Sequence, residues 1–134
     1  MAIVVPNQGE EIMLNAMLNK TAPQDLDLCL YKNDYTIVEG STEADVTVAD
    51  FTGYAVIQLT AASWTTTPGA PTDSAYAQQT FSSTAGSQNQ PIYGYYVKQR
   101  TSAKLVWGER FSDGPYTIVN NGDQIKVTPK ITQD

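Results

Sequence analysis

The sequence predicts an all-β protein, an antiparallel β-sandwich of Ig-like or jelly-roll-like type with one short N-terminal α-helix. Three observations carry that prediction. Apolar residues at helical spacing occur once, near the N-terminus, and after Pro23 they alternate with polar residues in short runs. Turn-forming pairs such as Asn33-Asp34, Gly114-Pro115 and Asn121-Gly122 punctuate those runs. Finally, 134 residues suit one domain, long enough to bury roughly two-thirds of its unfolded surface without a metal or disulfide. The expected division is an N-terminal segment and helix over 1–22 and a sandwich over 23–134.

The helix opens at Asn7, where Asn7-Gln8-Gly9-Glu10 has the layout of a capping box, with Asn7 as cap. Glu10 and Glu11 suit the positive end of the helix dipole. Ile12, Met13, Leu14, Ala16, Met17 and Leu18 give a wide apolar face, and Pro23 closes the segment. A helix this short is marginal alone, so the apolar face is expected to dock on the sheet.

Strands follow in order. Leu26, Leu28 and Leu30 alternate with Asp27, Cys29 and Tyr31, which places the leucines in the core and Asp27 toward solvent. Tyr54–Leu59 is a second strand and Ala75–Phe81 a weaker one; the segment 45–50 fits strand or loop. Ile92–Gln99 and Lys104–Phe111 flank a turn as a hairpin. Tyr116–Val119 and Gln124–Thr128 flank Asn120-Asn121-Gly122-Asp123, a strong short hairpin signal. The expected core comprises Leu28, Leu30, Ile57, Val97, Leu105, Trp107, Ile125 and Val127. Ser63–Asp73 and Ser82–Gln90 are too long for tight turns and read as exposed arms or loops.

Charge is unevenly spread. Charged residues make up 16%, against about 25% in ordinary domains. Residues 1–50 carry nine acids and two bases, residues 98–134 carry six bases and four acids, and residues 51–97 hold Asp73 alone. The net charge of −6 disfavours nucleic acid and anionic membranes, whose phosphates call for Lys and Arg. The acidic and basic ends are expected to pair within the chain; head-to-tail pairing between copies is the alternative.

The chain has no His and one Cys, which removes imidazole chemistry and the common zinc sites. Cys29 has no partner for an intrachain disulfide and is expected to be an inert structural thiol. The N-terminus lacks the basic region and long apolar run of a signal peptide, so synthesis in the cytoplasm is expected. Asp25 with Asp27, and Glu109 with Asp113, are the nearest carboxylate pairs for glycoside hydrolysis, but nothing else in the sequence supports such a site. Asn120–Asp123 offers oxygens to calcium but lies where a turn is wanted. No catalytic residue, metal ligand or cofactor is assigned.

Tyrosines and tryptophans invite a sugar-stacking reading, yet Tyr93, Tyr95, Tyr96 and Trp107 occupy strand positions, where alternation sends half inward. Trp64 opens a charge-free stretch and is either a contact anchor or folded back over the sandwich. Trp64, Tyr76, Phe81 and Tyr93 are the candidate interface residues, because interface cores are rich in aromatics and poor in charge.

The run Val4-Val5-Pro6-Asn7-Gln8-Gly9-Glu10, then Leu28-x-Leu30-Tyr31-Lys32-Asn33-Asp34, Phe51-Thr52-Gly53-Tyr54, Tyr93-Gly94-Tyr95-Tyr96-Val97, Leu105-Val106-Trp107-Gly108-Glu109-Arg110-Phe111 and Asn121-Gly122-Asp123 resembles small virion proteins of tailed bacteriophages. The resemblance covers nearly the whole chain and rests on structural signatures. It implies a noncatalytic structural protein, foremost a capsid decoration or cement protein on the outside of the shell. The implied partner is the major capsid protein, bound by a homo-oligomer, with a trimer favoured. A tail or neck component and a carbohydrate-binding module for host attachment are the alternatives.

Overall fold

The computed structural model describes residues 2–134. The protein is mostly β, with 36% strand and 13% helix, built from antiparallel sheets behind one N-terminal helix. Helix α1 spans Asn7–Met17. The strands are β1 (Leu26–Tyr31), β2 (Ile57–Leu59), β3 (Thr65–Thr67), β4 (Thr72–Ala75), β5 (Gln79–Ser82), β6 (Gln90–Ile92), β7 (Gly94–Gln99), β8 (Leu105–Arg110), β9 (Tyr116–Ile118), β10 (Gln124–Val127) and β11 (Lys130–Gln133). The main sheet runs β2-β1-β7-β8, accompanied by small sheets β10-β5, β6-β9 and β11-β4-β3.

Strand β1 lies inside the main sheet, with Leu28 opposite Val97 on β7 and Ile57 on β2. Leu28 and Leu30 enter a large core with Phe51, Phe81, Ile92, Val97, Trp107, Ile118, Ile125 and Val127. Their neighbours Cys29 and Tyr31 join Ile37, Val46, Tyr96 and Leu105 in a second core. Because successive side chains of a strand point to opposite faces, the main sheet is covered on both sides. Burying each leucine fully stabilises the fold by about 1.5–3 kcal/mol.

Double coverage changes the reading of Asp27. Expected in solvent, it is 7% exposed, and its carboxylate accepts a hydrogen bond from the Arg100 guanidinium at 2.8 Å. A carboxylate is tolerated there because the arginine compensates its charge at the sheet margin. A bulge corrects a second expectation. Val97 opposes Trp107 but Lys98 opposes Leu105, leaving Val106 as the extra residue. Leu105 therefore turns into the second core while Val106 and Trp107 share the first.

Three local expectations are also revised. Pro6, not Asn7, caps α1, and no side chain bonds its N-terminus; Asn7 N–H donates to the Glu39 carbonyl at 2.9 Å. The helix ends at Leu18, before Pro23, in a Schellman turn. Asn19 takes φ 55°, and the Lys20 and Asn19 amides donate to the Asn15 and Ala16 carbonyls. The Asn120–Asp123 turn does not close a hairpin: β9 pairs with β6 and β10 with β5. Gly122, at φ 91°, makes the turn, whose ends clamp Ser83 by Gly122 N–H to the Ser83 carbonyl and Ser83 N–H to the Asp123 carbonyl. Residues 43–45 form a 3₁₀ turn, and Val48 makes a single bridge to Tyr31.

Candidate functional site

The carboxylates nearest to a catalytic pairing are held by donors within the chain. Asp27 binds Arg100, and Asp25 accepts from Gln58 Nε2 at 2.7 Å and the Ala61 amide at 3.3 Å. Glu109 accepts from the Tyr95 hydroxyl at 3.0 Å, and Asp113 from the Tyr116 hydroxyl. The Asp123 carboxylate accepts from the Val119 and Asn120 amides, and these bonds hold its carboxyl below the usual range. Among the described residues no three His, Cys, Asp or Glu side chains gather as a metal site, and no helix is long and apolar enough to cross a membrane.

The four candidate interface aromatics have different surroundings. Phe81 is 2% exposed, stacked on Tyr54 within the first core. Trp64 is half-buried and folds back, edge-on to Tyr76 at 5.2 Å and to Trp107 at 6.0 Å between ring centroids. The Tyr76 hydroxyl accepts from the Thr60 amide at 3.3 Å. Tyr93 is half-buried under the Arg110 guanidinium, 5.1 Å from its ring centre. Tyr95, Tyr96 and Trp107 are buried. Cys29 is fully buried, and loss of solvent pushes its thiol up to about 11.

The polar stretches that read as arms are built structures. Ser63–Asp73 includes most of the β3–β4 hairpin, to which β11 adds as a third strand. Its residues 65–71 are all exposed and uncharged. Asp73, the one charge of the 51–97 region, is bridged to Lys130 on β11 at 3.1 Å. Thr66 and Ser74 hydroxyls meet at 3.0 Å across the hairpin. Ser82–Gln90 is stapled down instead. Gln88 exchanges hydrogen bonds with Thr52 and reaches Ser83, and Gln90 does the same with Asp50.

Ion pairs join the charged ends of the chain within the molecule. Lys98–Glu43, Arg100–Asp27, Lys104–Glu11 and Arg110–Asp34 each link the basic C-terminal region to the acidic N-terminal one. The expected intrachain pairing of the two regions is what the structure contains.

The feature that periodicity did not disclose is the direction of α1. The helix meets the sheet through Gly9, which is buried, and Ile12, which packs on the first core. A Cβ at Gly9 would lie 2.0 Å from the Val106 carbonyl oxygen, so only glycine permits this approach. The opposite side carries Leu14, Met17 and Leu18 at 55%, 73% and 61% exposure. The expected docking of the apolar face is therefore only partial. Between α1 and the sandwich lies a groove of about 430 Å³, lined by Ile12, Met13, Leu26, Val106, Trp107 and Ile131 among others.

No family model matches the chain, and no curated protein or solved structure matches it.

Proposed function

We propose that the chain is a noncatalytic structural protein of a phage virion, a decoration or cement protein that binds the outer capsid surface and bridges neighbouring subunits of the major capsid protein. The observation that carries this reading is the β3–β4 hairpin: exposed, uncharged over residues 65–71, and braced by β11 with its single charge neutralised. Such a surface can be buried against a protein partner without desolvating Lys or Glu. The phage likeness of the sequence supplies the partner class. Mechanically, each bound copy would add contacts across coat subunits, so that shell expansion under internal DNA pressure breaks more interactions.

The test uses purified particles separated into heads and tails. The protein is expected in the head fraction by mass spectrometry, and to stay there in about 1 M salt, where the Debye length is near 3 Å. Thr66→Glu, at an exposed hairpin position, is expected to fold normally and fail to attach. Protein found only in tails, or stripped by salt while the Thr66→Glu variant still binds, overturns the reading.

A further inference from the structure

The outer side of α1 has an ordered pattern. Glu10, Met13, Leu14, Met17 and Leu18 follow the spacing i, i+3, i+4, i+7, i+8, and so share one stripe of the helix. That stripe lies away from Gly9 and Ile12, which face the sandwich. Met13, at 37% exposure, marks its border with the groove; the other three apolar side chains are more exposed still. Helices of soluble proteins ordinarily turn such a stripe inward, and contiguous exposed apolar surface marks a contact site.

The charges at its two ends indicate what covers it. The N-terminal end carries Glu10 and the C-terminal end is followed by Lys20. Among the described residues neither is in an ion pair, whereas six of the eight basic residues are. We infer that this face pairs with the same face of a second copy, the two α1 helices antiparallel about a two-fold axis beside Leu14 and Met17. In that register Met13 and Leu14 of one copy meet Met17 and Leu18 of the other, while each Glu10 lies beside the Lys20 of its partner. An isologous contact needs a self-complementary surface, and here an apolar stripe begins at an acid, Glu10, and is followed just past the helix C-cap by a base, Lys20. Antiparallel helices also align their dipoles favourably. The inference is independent of attachment to a shell, and it specifies a two-fold contact where the phage likeness favours a trimer.

Sedimentation equilibrium of the purified full chain at physiological ionic strength tests it. Wild type is expected to show a reversible equilibrium between 14.6 kDa and twice that mass. Leu14→Ser/Met17→Ser is expected to raise the dissociation constant at least about 100-fold, since each lost anchor is worth roughly tenfold or more. Lys20→Glu is expected to weaken the dimer roughly tenfold by placing acid beside acid. Glu10→Lys/Lys20→Glu is expected to restore it, which a nonspecific apolar contact would not do. All the altered side chains are exposed, and far-ultraviolet circular dichroism is the control that each variant is folded. A wild type that stays monomeric at every concentration overturns the inference and leaves the stripe to a different partner. So does a dimer indifferent to the serine variant, or one weakened equally by the single and double charge changes.

Discussion

The main sheet and the helix docked on it use the same kinds of apolar residue in opposite ways. Strand β1 places Leu28, Cys29, Leu30 and Tyr31 all at 0% exposure, because both faces of the sheet are covered. Helix α1 has a comparable apolar content, yet it touches the sandwich along a narrow line and leaves Leu14 and Met17 in water. The narrowness has a cause: Gly9 brings the helix backbone against Val106, and a cylinder held that close presents only one side. Apolar residues in the sheet hold the fold, while those on the outer helix lie in water.

The largest effect that contrast predicts lies in the sheet. Leu30→Ala, at the heart of the first core, is expected to destabilise the protein by about 2–5 kcal/mol in urea unfolding. A cost below about 1 kcal/mol would show that the core is less tightly formed than the packing implies. Next comes the seam between the two regions. Gly9→Ala ought to gain about 1 kcal/mol from helix propensity, yet a net loss of about 1–3 kcal/mol is expected because its Cβ meets the Val106 backbone. Net stabilisation would mean that the helix can lift off the sheet freely.

Smaller still is the effect of the buried phenols, whose stabilisation is lost only in alkali. Burial raises the hydroxyls of Tyr31, to about 12, and of Tyr54, Tyr95 and Tyr96. The folded state holds these protons more tightly than the unfolded chain, whose tyrosines titrate near pH 10. Stability from them is therefore fully present below about pH 10 and is lost as pH rises above it toward the folded values. Tyrosinate absorbance from these groups should emerge together with the unfolding transition. Ionisation completed while the fold persists would place the rings in water.

Much of this architecture was legible in the residues. Leu26–Tyr31 forms a strand with the bounds its alternation suggested, and β7 pairs with β8 as expected. Other features depend on partners far along the chain. Asn121-Gly122 signals a hairpin locally, but Ile118 and Ile125 are drawn to Gln90 and Phe81, and those longer-range pairings decide the outcome. The β3–β4 hairpin was hidden because Thr65–Thr67 are exposed on every side and show no alternation. Asp27 was misplaced because period-2 logic assumes one wet face, and β1 has none. The candidate surface was half legible. The shortage of charge over 51–97 is plain in the sequence, whereas the outward stripe of α1 is not. An apolar helix reads the same whichever side docks, and only Gly9, identified by its close approach to Val106, decides which.

The smallest expected effect on the monomer is also the most direct test. The melting temperature of wild type and of Leu14→Ser/Met17→Ser, measured across a wide range of protein concentration, separates holding the fold from holding two copies together. Wild type should melt higher as concentration rises, because association stabilises the folded chain by mass action. The variant should show no such dependence and should match wild type at high dilution to within about 0.5 kcal/mol. A variant that melts far below wild type even at high dilution would contradict the account, since the outer helix would then be supporting the monomer itself.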